Sequence, residues 1–123
     1  MSVSLHVSER NQWLVLSLSG RVDAFSDKRL AANLRAAGRP SAGVVLDLSR
    51  CEFLSLYFQK SLLAWKKELV QTGGDLMLLS PAESIRRQLD IFMGRELRIY
   101  DSWDTLEIES FYKQSRSAAP ASL

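Results

Sequence analysis

Val44-Val45-Leu46-Asp47-Leu48 and Leu76-Met77-Leu78-Leu79 are the two runs whose reading decides the fold. Each is almost continuously apolar and too short for a buried helix, and each follows glycine punctuation, Gly38 to Gly43 before the first and Gly73-Gly74 before the second. Short apolar runs of this kind are strands buried on both faces, as in a parallel sheet lying between helices. Between them, Leu62, Trp65 and Leu69 share one helical stripe with Leu63 and Val70 beside it, which predicts a helix from about Leu56 to Thr72 with Lys66, Lys67 and Glu68 facing water.

Outward toward the N-terminus, Leu5 and Val7 alternate with polar residues, as do Leu14, Leu16 and Leu18, and Glu9 to Gln12 is the polar turn of a β-hairpin. Ser26 is placed to cap a helix carrying Leu30, Ala31, Leu34 and Ala37, with Phe25 and Leu30 as a hydrophobic staple. Toward the C-terminus, Ser80-Pro81-Ala82-Glu83 has the form of a capping box with proline at the first helical position. Ile85, Leu89, Phe92 and Met93 supply the buried face of that helix and Gly94 ends it. A short strand over Leu97 to Tyr100 and a last helix from Ser102 to about Tyr112 complete the order. The expectation is an α/β fold: a mixed, mainly parallel β-sheet with an N-terminal antiparallel hairpin and about four helices. It occupies residues 1–113, and 114–123 form a loose polar tail.

Composition narrows the chemistry. The chain has 123 residues, 46% hydrophobic and 24% charged, with a single cysteine, Cys51, and a single histidine, His6. These counts exclude a disulfide framework, a zinc cluster and a pair of histidines working as acid and base. A net charge of +2 calls for no nucleic acid. The N-terminus does not read as a secretory signal, and no stretch approaches the roughly 18 apolar residues of a membrane span, so a cytoplasmic protein with no direct membrane insertion is expected. Gly73-Gly74 follows a helix and is not a phosphate cradle, and no cofactor is expected.

From Gly43 onward the chain resembles the STAS family, the domain shared by bacterial anti-sigma-factor antagonists and the cytoplasmic tails of sulphate transporters. The likeness is carried by Val44-Val45-Leu46-Asp47-Leu48-Ser49, Glu52-Phe53-Leu54, Leu62-Leu63, Gly73-Gly74-Asp75-Leu76-Met77-Leu78, Ser80-Pro81, Arg86 to Leu89, and Tyr100-Asp101-Ser102-Trp103-Asp104-Thr105-Leu106. Gly20-Arg21-Val22-Asp23 looks like the family's short motif after the second strand. In the antagonists, the loop after the buried strand carries Asp-Ser-Ser/Thr-Gly, and a cognate kinase phosphorylates a hydroxyl there. The added charge of about −1.5 to −2 disrupts the docking interface.

Aligned without gaps from Glu52-Phe53-Leu54, those four positions are Ser55, Leu56, Tyr57 and Phe58, so the motif is degenerate and its acceptor positions hold leucine and tyrosine. Ser55 reads first as a helix cap; with a loop one residue shorter it becomes a phosphoacceptor. Leu56, Tyr57 and Phe58 either form an apolar docking patch or turn in to cover the sheet edge, the two readings standing level. The resemblance therefore implies a non-catalytic interaction module of signal transduction and transcription regulation, whose partner-binding residues are Asp23, Ser55, Leu56, Tyr57, Phe58 and Lys60. Its implied partner is an anti-sigma factor or serine kinase-like protein or another signalling ATPase, with a homodimer as a further option. The alternative is a STAS accessory subunit of a lipid-transport ABC complex; an enzyme using Asp23 and Asp47 is a weaker third. Asp47 is expected to be structural. Basic residues at Arg86, Arg87, Arg95 and Arg98 and acidic ones at Asp101, Asp104, Glu107 and Glu109 suggest patches suited to head-to-tail contacts.

Overall fold

The computed structural model describes residues 3–38 and 43–110, so the tail expected at 114–123 and most of the turn before the first buried run lie outside the described residues. Within it, β1 (Ser4–Arg10), β2 (Trp13–Val22), α1 (Asp27–Ala37), β3 (Gly43–Leu54), α2 (Leu56–Gln71), β4 (Asp75–Leu79), α3 (Glu83–Met93) and β5 (Arg98–Tyr100) follow one another, and residues 103–110 form a further helix, α4. The five strands lie in the sheet in chain order, β1-β2-β3-β4-β5. The first pair is antiparallel and the rest are parallel.

The hairpin closes through Asn11 and Gln12, both at positive φ (48° and 74°), the backbone of a two-residue turn whose twist matches the strands it joins. Period-two alternation then sorts the side chains. Leu14, Leu16 and Leu18 of β2, Val44, Leu46 and Leu48 of β3, and Leu76 and Leu78 of β4 face one way. They pack against Leu30 and Leu34 of α1, Phe58, Leu62, Trp65 and Leu69 of α2, and Ile85, Leu89 and Met93 of α3. Connections between neighbouring parallel strands that all advance in one direction across a sheet bring their helices to the same face. The opposite face is covered by α4, where Leu106 and Trp103 meet Val45, Met77, Leu79, Tyr100 and Trp13. Arg10 at the hairpin tip secures this layer, with Nε donating to Glu107 Oε1 at 3.2 Å and the guanidinium 4.4 Å from the centre of the Trp103 ring. Burial, reinforced by the Glu109 carboxylate, pushes the Tyr100 hydroxyl up to about 12. Gly43 fits the same layer because a Cβ there would lie 2.5 Å from the Trp13 ring.

Several local expectations are corrected. β3 runs twelve residues, well past Leu48, and its pairing with β2 shifts register twice, between Ser17 and Ser19 and between Gly20 and Arg21. Gly20 sits between these bulges at φ 100°, where a side chain would be strained. α3 begins at Glu83, with Ala82 and not Ser80 at the cap. Ser80 has φ 54°, its N–H donates to Tyr100 O and its hydroxyl to Asp101 O, so its polar groups join β4 to the end of β5. Phe92 and Val70 are exposed. The charged patches are partly consumed within the chain, by Arg86 with Asp101, Arg87 with Glu83 and Arg10 with Glu107.

Lys66 does not face water either, since its Nζ donates to Asp75 Oδ1 at 2.8 Å and to Leu76 O at 3.4 Å. Burial raises the Asp75 pKa, but hydrogen bonds from Lys66 and the Leu76 N–H, with the charges of Lys66 and Arg98, outweigh it and hold the carboxyl below its ordinary value. A depressed folded pKa contributes stability above the unfolded value of about 3.9 and loses it as pH falls through the folded one. Lys66→Met should therefore lower stability at neutral pH by about 1–2 kcal/mol, and urea titrations should show the gap from wild type closing as pH falls below the unfolded value of about 3.9. A gap independent of pH would refute the assignment.

Candidate functional site

The sequence-predicted site gathers where β2 and β3 end side by side, outside the carboxyl ends of parallel strands, the place where α/β sheets collect functional groups. Val22 pairs with Leu54, and the Ser55 N–H donates to Val22 O at 2.8 Å, so the loops following the two strands are in contact. Asp23 organises the first loop. Its carbonyl accepts the N–H groups of Ser26 and Asp27, and its Oδ1 accepts from Phe25 N–H at 3.0 Å and from the Ser26 hydroxyl at 3.3 Å. Because the Ser26 hydroxyl turns back to Asp23, it makes no cap bond to α1. The same tight turn throws Phe25 outward, 96% exposed, so the expected staple with Leu30 is not formed.

Ser55 organises the second loop as the cap of α2, its Oγ accepting from Phe58 N–H at 3.1 Å. The same hydroxyl donates to Asp27 Oδ2 at 2.8 Å. Asp27 opens α1 and is only 4% exposed, so one buried carboxylate stands beside the N-termini of both helices, the position where negative charge is favoured. Both hydrogen-bonding roles of the Ser55 hydroxyl are thus occupied by the fold. Sequence reasoning does not single out Asp27, and it reads Phe25 only as half of a staple. The available signal was an acid just after a serine, in a loop whose neighbour across the sheet was already suspected.

The aromatic run divides. Leu56 and Tyr57 are 43% and 47% exposed, and Lys60, one turn on, is exposed with them. Phe58 is fully buried, between α1 and α2, and leaves the list of surface residues. It shares the inward stripe of Leu62, Trp65 and Leu69, whereas Leu56, Tyr57 and Lys60 fall on the opposite side of the first turn. Lys28 of α1 reaches across, its Nζ 5.7 Å from the centre of the Tyr57 ring. Gln59 ties the floor together, its Nε2 donating to Leu54 O and to Gln88 Oε1 of α3, both at 3.1 Å. The loops thus present Phe25, Lys28, Leu56, Tyr57 and Lys60 as exposed side chains above a hydrogen-bonded base in which Asp27 is buried and Asp23 and Ser55 are half-buried.

On the α4 face, His6, Ser17 and Asp47 stand in a row at paired positions and line a groove of about 350 Å³ with Ser19, Ser49 and Arg50. Acyl-transfer chemistry needs histidine between the nucleophile and the acid, and here serine is in the middle. Asp47 Oδ1 accepts from Ser49 N–H at 2.9 Å, a structural role at the register shift between β2 and β3. Cys51 is buried, and desolvation pushes its thiol pKa up, against the activation a nucleophile requires. No group of three metal-binding side chains occurs among the described residues, and no helix of them is long and apolar enough to cross a membrane.

Comparison with solved structures finds the same fold. An anti-sigma factor antagonist from Mycobacterium paratuberculosis superposes with a TM-score of 0.74 at 24% identity, over 85% of this chain and 90% of that one. An anti-sigma-factor antagonist (STAS) domain protein from Planctomyces limnophilus gives 0.70 at 21% identity, over 86% and 97%. The Bacillus antagonist SpoIIAA, in its unphosphorylated form, gives 0.68 at 16%, over 87% and 96%. At these identities the likeness is one of fold. No curated protein matches. The family model described as "Mlab, STAS domain" matches residues 5–93, most of the described fold, and on that match the chain belongs to the STAS domain family.

Proposed function

We propose that this chain is a non-catalytic protein-interaction module, similar to the anti-sigma-factor antagonists, that binds a kinase-like anti-sigma factor or another signalling ATPase. Its contact surface is Phe25, Lys28, Leu56, Tyr57 and Lys60, with Asp23 and Ser55 shaping it from beneath. The observation that carries this reading is the exposure of three large apolar side chains, Phe25, Leu56 and Tyr57, at the joined N-termini of α1 and α2. Aromatic residues are enriched in protein interfaces and often anchor them. With the Ser55 hydroxyl committed to Asp27 and Phe58 N–H, the surface is read as one that stays apolar and is not switched by phosphate in its own loop.

A second reading, an accessory subunit of a lipid-transport ABC complex, is favoured by the Mlab designation of the matching family model. Both readings use the same surface and differ in the ATPase bound. Affinity capture from the native cell separates them: a kinase-like ATPase supports the first, an ABC ATPase with a permease the second. In either case Tyr57→Asp should weaken binding of the purified ATPase by about 30-fold or more without altering the circular dichroism spectrum, since anchors of this kind contribute about 2 kcal/mol or more. Unchanged affinity in Tyr57→Asp and in Phe25→Asp would sink both. A phosphate on Ser55 in the intact mass of the captured protein would restore the ordinary switch.

A further inference from the structure

Charges are paired unevenly over this surface. Elsewhere in the domain cations meet acids of the same chain: Arg10 with Glu107, Arg35 with Glu68, Lys66 with Asp75, Arg86 with Asp101 and Arg87 with Glu83. At the joined N-termini of α1 and α2 they do not. Over residues 21–29 and 52–60 the exposed charges are Arg21, Lys28, Arg29 and Lys60 against a single acid, Glu52, and none of those cations forms an ion pair with a described residue. The remaining acids of these segments are turned to the fold. Asp23 accepts from Phe25 N–H and the Ser26 hydroxyl, and the buried Asp27 carboxylate accepts from the Ser55 hydroxyl. The cations stand beside the apolar anchors: Lys28 Nζ lies 5.7 Å from the centre of the Tyr57 ring, Arg29 lines a cleft with Phe25, and Lys60 follows Leu56 and Tyr57 by one turn of α2.

We propose that the docking face of the partner is acidic, with carboxylates that meet Lys28, Arg29 and Lys60 around an apolar socket for Phe25, Leu56 and Tyr57. The proposal rests on the interaction surface described under the proposed function and gives the chemistry of the face that covers it. Unpaired cations pressed against a neutral or basic face are desolvated without a counter-charge, whereas opposite potentials steer the encounter and fix its register. A second copy of this chain does not supply that charge, because a two-fold axis through this face sets the same cationic patch against itself. A bilayer surface fits less well than a protein. A helix lying in a membrane interface needs its apolar face free, and α1 and α2 bury theirs against the sheet, through Leu30 and Leu34 and through Phe58, Leu62 and Trp65.

Stopped-flow kinetics with the purified ATPase captured from the native cell tests this, because charges at the rim of an interface act on association and buried anchors on dissociation. Association of the wild-type chain should slow about ten-fold or more between about 0.1 and about 1 M salt, as the screening length falls from about 10 Å to about 3 Å. Lys28→Glu/Lys60→Glu should slow it by about ten-fold or more at low salt, with dissociation changed less. Both positions are exposed and Lys28 lies in the first turn of α1, where an acid is favourable, so the circular dichroism spectrum should be that of wild type. Lys67→Glu/Arg95→Glu makes the same change in net charge late in α2 and past the end of α3, and should associate within about two-fold of wild type, since steering comes from the local field. Tyr57→Ala should act on dissociation instead. If Tyr57→Ala releases the ATPase faster while Lys28→Glu/Lys60→Glu associates no more slowly than Lys67→Glu/Arg95→Glu, the acidic face is refuted and the interaction surface stands. If no variant changes either rate, both fall. Salt-insensitive binding of the ATPase, with wild type but not Lys28→Glu/Lys60→Glu adsorbing to vesicles of phosphatidylcholine and phosphatidylglycerol, would assign the cations to a membrane and overturn the proposal.

Discussion

Phe58→Ala should lower the stability of the protein by about 3–5 kcal/mol, the cost of removing a large side chain from a closed site. Phe58 is completely buried where α1 and α2 meet, beside Leu34 and Leu62, so the space left behind has backbone elements on its walls and little room to collapse. Urea unfolding monitored by tryptophan fluorescence reads the loss directly. The neighbouring Tyr57→Ala is expected to stay within about 0.5 kcal/mol of wild type, as surface substitutions do. This contrast between adjacent residues is the sharpest check on the orientation of the first turn of α2. Equal losses at the two positions would mean that the turn is rotated from the one described. A charge at 58 is uninformative about partners, because Phe58→Asp acts on the core.

Ser55→Asp should cost about 2–4 kcal/mol, and most of the loss should disappear when Asp27→Asn is added. In the native protein the Ser55 hydroxyl lies 2.8 Å from a buried Asp27 carboxylate. A second carboxylate at that distance replaces a hydrogen bond with repulsion, about 4 kcal/mol for unit charges 4 Å apart at the effective dielectric of such sites. The introduced acid would titrate above its unfolded value, so the destabilisation should be complete at neutral pH, shrink as pH falls through the raised folded value, and be gone below about 3.9. A double-mutant cycle in urea isolates the coupling. Coupling near zero would show that Asp27 and Ser55 do not share the site. The same repulsion applies more strongly to a phosphate, which is why a surface governed through this hydroxyl would have to be rebuilt around Asp27.

The architecture was legible because its carriers are local. Val44 to Leu48 and Leu76 to Leu79 are strands on apolar density alone, Leu62, Trp65 and Leu69 repeat at helical spacing, and Ser55 caps α2 as its place before Leu56 suggests. What was not legible depends on partners distant in sequence. Ser80 satisfies every local requirement of a cap, but its groups are drawn to Tyr100 and Asp101, which lie beside it only after β5 joins the sheet. Ser26 loses its side-chain cap bond to a near neighbour, Asp23, whose carboxylate the tight turn after β2 brings within reach. Lys66 is charged and sits next to exposed residues, yet Asp75 at the start of β4 holds it down. At the site itself, Tyr57 and Phe58 are chemically alike, and only the phase of the helix separates an anchor from a core residue.

The order of strands across the sheet is also their order along the chain. Each strand therefore finds its neighbour already made as the polypeptide emerges from the ribosome, and no strand has to be inserted between two others. Loops closed in this way are short, which favours rapid folding from the N-terminal end. Assembly has one advancing border, renewed by β3, β4 and β5 in turn, and one border that is finished as soon as the hairpin closes. That finished border is β1. The hairpin of β1 and β2 is thus the oldest part of the sheet in the life of each molecule, the template on which the parallel strands are laid.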